Sequence, residues 1–150
     1  AMLFVGVAFI ACGGQRNSAK ITDAENENEK KMGTIHLNAA DFSARVADLS
    51  SSQDWKYLGD RPAIIDFYAD WCGPCRSIAP ILEQLAEEYG DKIYIYKIDT
   101  DKEGELAAAF GIRSIPSLLF VPMEGKPQMI SGAMPKASFE KNIKEILKVE

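Results

Sequence analysis

Histidine, cysteine and an excess of positive charge are what this sequence is short of. It carries one histidine, His36, and three cysteines, Cys12, Cys72 and Cys75, in 150 residues. A structural zinc site takes four nitrogen or sulfur ligands. One C-x-x-C and one histidine do not supply such a set, so no metal is expected. Three cysteines cannot form a disulfide framework without leaving one over, so the core must hold without cross-links. Lysine and arginine number 17 against 22 aspartates and glutamates, a net charge of −5 with both signs interspersed. Nucleic-acid binding shows as a basic excess, and that class is set aside. No apolar run reaches the roughly 20 residues that span a bilayer, and no internal repeat is visible.

What is present suits one soluble domain. Hydrophobic residues make up 47% and charged residues 26%, an ordinary balance for a chain long enough to bury a core. The head of the chain differs. Met2 to Ala11 reads MLFVGVAFIA, which suits the apolar region of a secretory signal. No basic stretch precedes it, so the expectation is a signal entered partway. Phe9-Ile10-Ala11-Cys12-Gly13 resembles a bacterial lipobox, in which cleavage leaves the cysteine lipid-modified. Residues 1–12 are therefore read as a signal and lipobox remnant, with Cys12 as the lipidation site. A simple secretory signal with a chance cysteine is the alternative. Residues 13–33 include TDAENENEKK and cannot bury enough surface to offset ordering. They are read as a flexible polar tether, reaching on the order of 65 Å when extended. The folded domain is expected over 34–150.

Hydrophobic period divides that domain. Thr34–Leu37 predicts a short strand. Asn38 is placed to cap a helix, with Asp41 in its first turn and Phe42, Val46 and Leu49 at helical spacing. Ser50–Asp60 is a loop from which Trp55 and Tyr57 pack against the body. Ala63–Ala69 is an apolar strand broken only by Asp66. Ile78, Ile81, Leu82, Leu85, Ala86 and Tyr89 mark one face of a helix containing Pro80 and ended by Gly90. Ile93–Ile98 is a strand, and Glu103–Phe110 a helix closed by Gly111. Ser117–Val121 and Gln128–Ser131 form a hairpin, and Phe139, Ile143, Ile146 and Leu147 a last helix. The expected fold is α/β, with a central mixed sheet and helices on both faces.

The chemistry centres on Trp71-Cys72-Gly73-Pro74-Cys75. The spacing sets two thiols at a strand-to-helix junction, where Pro74 is tolerated because the first helical turn has no use for its missing N–H. The electropositive helix head favours a thiolate at the first cysteine. The thiolate is the nucleophile, so Cys72 is expected to attack and the deeper, less exposed Cys75 to resolve. A purely structural bridge across so short a loop would stabilise little. Asp66, six residues before Cys72, is a carboxyl in an apolar strand. Desolvation raises its pKa toward neutrality, which makes it a proton acceptor; hydrogen bonding to nearby backbone is the alternative. Lys97 on the next strand either offsets that charge or faces solvent. Ile115-Pro116 at a strand start can be cis or trans. His36 is expected to be a surface side chain.

IIDFYADWCGPCRSIAPILEQLAEEYGDKIYIYKIDTD, followed by FGIRSIPSLLFV and SGAM, resembles the thioredoxin family over about residues 34–148. The resemblance implies the thioredoxin fold, with Cys72 as nucleophile, Cys75 as resolving thiol and Asp66 assisting proton transfer at Cys75. It also implies a cis Pro116 facing the dithiol, and Trp71 shielding it. Backbone around Ile115 and Gly132 helps hold the substrate chain, with Ser114 and Ser131 bordering that groove. Gly73, Pro74 and Lys97 support the site. The chain departs from the pattern at Tyr68, where Trp is frequent, at Arg76-Ser77, in the length of the Ser50–Asp60 loop, and in its exported N-terminus.

The expected activity is reduction of protein disulfides through a mixed disulfide on Cys72. A histidine between the cysteines would stabilise the thiolate and make a stronger oxidant; Gly-Pro stands there instead. The alternatives are an envelope disulfide oxidase or isomerase, a thioredoxin of cytochrome c maturation, and a binding subunit in which redox is incidental. Expected partners are disulfide-containing client proteins and an upstream thiol reductant or membrane electron-transfer protein. No cofactor is expected. The chain is read as a monomer of the bacterial envelope or periplasm, touching membrane only through a lipid anchor.

Overall fold

Nine elements alternate along the chain in the computed structural model, which describes residues 33–50 and 54–150. Residues 1–32, expected to hold a signal, a lipobox with Cys12 and most of a tether, lie outside the described residues, as does part of the Ser50–Asp60 loop. The strands are β1 (Ile35–His36), β2 (Ala63–Tyr68), β3 (Tyr94–Asp99), β4 (Ser117–Val121) and β5 (Gln128–Ser131). The helices are α1 (Ala39–Arg45), α2 (Gly73–Glu88), α3 (Gly104–Ala109) and α4 (Lys136–Glu145). One five-stranded sheet has the order β1-β3-β2-β4-β5. β2 runs parallel to β3 and antiparallel to β4, so the sheet is mixed.

β2 is central because its sequence is apolar on both faces. Ile65 and Phe67 join Tyr96, Ile98, Leu119 and Val121 beneath Phe42 and Val46 of the α1 region and Leu106 of α3. Ile64 joins Ile95, Leu118 and Phe120 on the opposite face, under Ile78, Leu82 and Leu85 of α2 and Phe139 and Ile143 of α4. Two cores result, one on each side of the sheet. Asp66 shares the α2 face with Ile64, by the period of two along a strand.

Several expected boundaries move, those of α1 and β3 for reasons visible in the hydrogen bonding. The Asn38 carboxamide does cap α1, accepting from the Asp41 N–H at 2.8 Å, but the helix stops at Arg45 and Leu49 is 43% exposed. The Val46 carbonyl accepts from the Leu58 N–H at 2.9 Å, and the Ser50 N–H turns to the Asp48 carboxylate, so no further helical turn forms. β3 runs one residue later than its apolar stretch because its parallel register pairs Ala63 with Tyr94 and Tyr68 with Asp99. Trp55 and Tyr57 pack against the α1–α3 core as expected. α2 keeps Pro80 within its span and ends with the Tyr89 N–H on the Leu85 carbonyl.

Candidate active site

The carboxyl end of β2 turns directly into α2, and this junction carries the cysteines. Cys72 is the N-cap of α2, and Cys72 and Cys75 form a disulfide with Cα atoms 5.3 Å apart. The Cys75 N–H donates to the Cys72 sulfur at 3.2 Å. Gly73 and Pro74 fill the exposed first turn, which holds no acidic side chain. A negative charge forming on Cys72 therefore meets a backbone donor and the positive end of a sixteen-residue helix. One expectation is corrected. Cys75 is not the less exposed residue of the pair in this disulfide: each cysteine is 4% exposed. Cys72 is covered because it packs with Ala69, Cys75, Tyr68 and Ile115 in a small cluster of its own.

Around the disulfide the chain closes from two other elements. The Ile115–Pro116 peptide is cis, and the Ile115 carbonyl oxygen lies 3.7 Å from the Cys72 sulfur. The Gly132 N–H donates to the Pro116 carbonyl at 2.8 Å, with Gly132 at φ +97°, a conformation that favours glycine. Ser131 pairs with Ser117 across the β4–β5 hairpin, their hydroxyls 3.4 Å apart, and the Ser117 hydroxyl donates to the Ser114 carbonyl. Trp71 is 67% exposed, and its indole N–H donates to the Asp101 carboxylate at 2.9 Å. It therefore flanks the disulfide as an open apolar surface. A cleft of about 320 Å3 begins at Trp71 and Ile115 and runs along Ala107, Ala108, Ile112 and Arg113.

Asp66, on the strand that leads to the cysteines, is buried, with neither carboxyl oxygen hydrogen-bonded. The backbone-bonded alternative does not hold. Burial pushes its pKa from 3.8 up to about 7, while the Lys97 charge pulls the other way. Lys97 is its register partner on β3. The Lys97 ammonium sits 4.5 Å above the Tyr68 ring. A cleft of about 160 Å3 is lined by Tyr68, Cys75, Arg76 and Lys97.

Several features of the site escape sequence reasoning. Asp101 as the partner of Trp71 had only the run Ile98-Asp99-Thr100-Asp101 as a signal. The α3 side of the cleft had none beyond Arg113 preceding Ser114. His36 is exposed, as expected of a surface side chain, yet its Nδ1 stands 3.3 Å from the Tyr68 hydroxyl.

A disulfide at the head of a long helix, behind a cis-proline loop and before a buried acid, defines a protein of the dithiol–disulfide class. The comparisons narrow that class. The family model described as Thioredoxin matches residues 33–145. A thioredoxin of Borreliella burgdorferi is 46% identical over 111 residues, covering 74% of this chain and 95% of that protein. Thioredoxin 1 of a Nostoc species is 37% identical over 105 residues, covering 70% and 97%. A solved chloroplastic thioredoxin z matches with a TM-score of 0.66 at 25% identity, covering 78% of this chain and 96% of that one. The chain belongs to the thioredoxin family, protein-disulfide oxidoreductases that act on disulfide-containing substrate proteins.

Proposed function

We propose that the chain works as a reductant of client-protein disulfides, with Cys72 attacking and Cys75 resolving. The observation that carries the reading is the Cys75 N–H aimed at the Cys72 sulfur on the head of α2, because it favours negative charge on Cys72 over Cys75. The Cys72 thiolate attacks one client sulfur. The client S–S bond breaks, the attacked sulfur stays bonded to Cys72 as a mixed disulfide, and the other client sulfur leaves as a thiolate that takes a proton. Cys75 then gives its proton to Asp66 and attacks the Cys72 sulfur. The internal disulfide re-forms, the second client thiol leaves, and two electrons have passed to the client. Trp71, Ile115, Pro116 and Gly132, with Ser114 and Ser131 at the rim, hold the client chain. The reduced state is restored by an upstream thiol reductant or a membrane electron-transfer protein. The place of action is the bacterial envelope, with the domain held to membrane through lipid on Cys12. The apolar run before Cys12 and the polar stretch after it support this.

Cysteine variants test the chemistry. Cys72→Ser abolishes reduction of insulin disulfides, and Cys75→Ser traps mixed disulfides on Cys72. Stable adducts on Cys75 in the Cys72→Ser protein would reverse the assignment. A measured potential in the oxidising range for the couple would instead make the chain an oxidase.

A further inference from the structure

Asp66 has a cation beside it and does not use it. Asp66 and Lys97 are direct partners in the parallel β2–β3 register. Both lie on the α2 face of the sheet, since Asp66 alternates with Ile65 and Phe67, and Lys97 with Tyr96 and Ile98, on the opposite core. A lysine so placed next to a buried carboxyl is ordinarily its ion-pair partner, because an unpaired buried charge is costly. Neither Asp66 oxygen has a hydrogen-bond partner, however. The Lys97 ammonium is over the face of Tyr68, 4.5 Å from the ring centroid, where the ring's negative face attracts a cation.

Tyr68 is suited to hold that position. It stands two residues after Asp66 on the same strand, so both project from the same face. Its hydroxyl lies 3.3 Å from His36 Nδ1, and the His36 ring meets its edge at a centroid distance of 6.0 Å and 71°. His36 is in turn the register partner of Lys97 on β1. Three adjacent strands thus place histidine, tyrosine, lysine and aspartate in one group.

We propose that Tyr68 is a positioning residue: its ring holds the Lys97 ammonium away from Asp66, so that the buried carboxyl stays unpaired. The inference takes from the proposed function only the part of Asp66 as proton acceptor. An unpaired Asp66 is the stronger base toward Cys75, whereas a paired one would hold its charge and accept a proton less readily.

The charges facing this group are few. β3 brings Lys97 and Asp99, β1 brings His36, and the β2–α2 junction brings Asp70 and Cys75. α2 adds Arg76, which shares the cleft with Lys97 and Cys75 and donates to the Asp70 carbonyl. β4 sets apolar Leu118 opposite Asp66. Among these cations, Lys97 is the one whose charge draws the Asp66 pKa down.

The test is a carboxyl carbon NMR titration of Asp66 in the oxidised full chain, paired with the pH profile of insulin reduction. Tyr68→Leu removes the ring face and frees the lysine, and should lower the Asp66 midpoint by about one pH unit or more, the effect of a close opposite charge. Tyr68→Phe keeps the face and should leave the midpoint within about 0.3 of a unit. In a Lys97→Met background, Tyr68→Leu should produce no lowering. Lys97→Met alone should raise the midpoint by less than about one unit, because the lysine is already held off. That single variant serves if Tyr68→Leu fails to fold. A rise of two units or more there, or an equal lowering by Tyr68→Leu with and without Lys97, overturns the proposal. A midpoint that moves as described while the rate profile stays fixed supports the hold on Lys97 and removes Asp66 from proton transfer.

Discussion

Asp66 opposes stability and serves reactivity with the same property. Its pKa rises from 3.8 to about 7 through burial, against the pull of Lys97. A folded-state pKa above the unfolded one means that the protonated acid fits the fold better than the carboxylate. That stabilisation is fully present below about 3.8 and is lost as pH rises through about 7. At 1.36 kcal/mol per pH unit, the carboxylate costs the fold on the order of 4 kcal/mol at most. Asp66→Ala should raise the urea midpoint at pH 7 by about 1 M, after allowance for the small cavity it leaves. The gain should shrink toward pH 4. The same change should slow disulfide exchange at the resolving step. A variant less stable at pH 7 and fully active would contradict both halves. Asp66 was legible in the sequence because a lone acid in IIDFY has nowhere polar to go. Cys72 and Cys75 were legible because their short spacing fixes their neighbours, whereas the cis form of Pro116 came from the family resemblance alone. The Tyr68 seat of Lys97 and the Trp71–Asp101 bond were not. Each joins side chains about 30 residues apart whose meeting depends on strand register.

Among the elements, the hairpin was read at its observed bounds, since β4 and β5 are set by an apolar run, a turn around Gly125 and a second short run. α1 was read too long, because the hydrogen bond that halts it comes from Leu58, beyond a loop whose course no periodicity reveals. The head of α1 was read correctly because capping is a local matter. With only seven residues, this helix depends on its cap and on burial of Phe42 and Val46 more than on propensity. Asn38→Ala should destabilise the domain by about 1 kcal/mol in urea unfolding. A change below about 0.3 kcal/mol would show that the Phe42 and Val46 contacts alone hold the helix in place.

For the whole molecule, the two cores divide the labour. The α1–α3 side packs around Phe42 and Phe67, whereas the α2–α4 side also carries the site, because α2 serves both as core helix and as platform for Cys72. Both layers follow from strands apolar on two faces, which is why the architecture was readable from hydropathy. The N-terminal reading is a matter of address. If Cys12 carries lipid, the protein made in its native host should partition into detergent and begin at Cys12. Mass spectrometry showing an unmodified, differently cleaved terminus would remove the anchor and leave the chemistry untouched.

The equal burial of the two cysteines bears on how the oxidised protein is recharged. At 4% exposure each, the two residues present little surface to a small thiol arriving by random collision. The Ile115 carbonyl oxygen stands 3.7 Å from the Cys72 sulfur, and Ala69 and Tyr68 pack in the same small cluster. A donor must therefore bring its sulfur in along a shaped path, matching the surface before any bond is exchanged. Shape, more than the abundance of thiols in the surroundings, then decides which molecules can pass electrons to this couple.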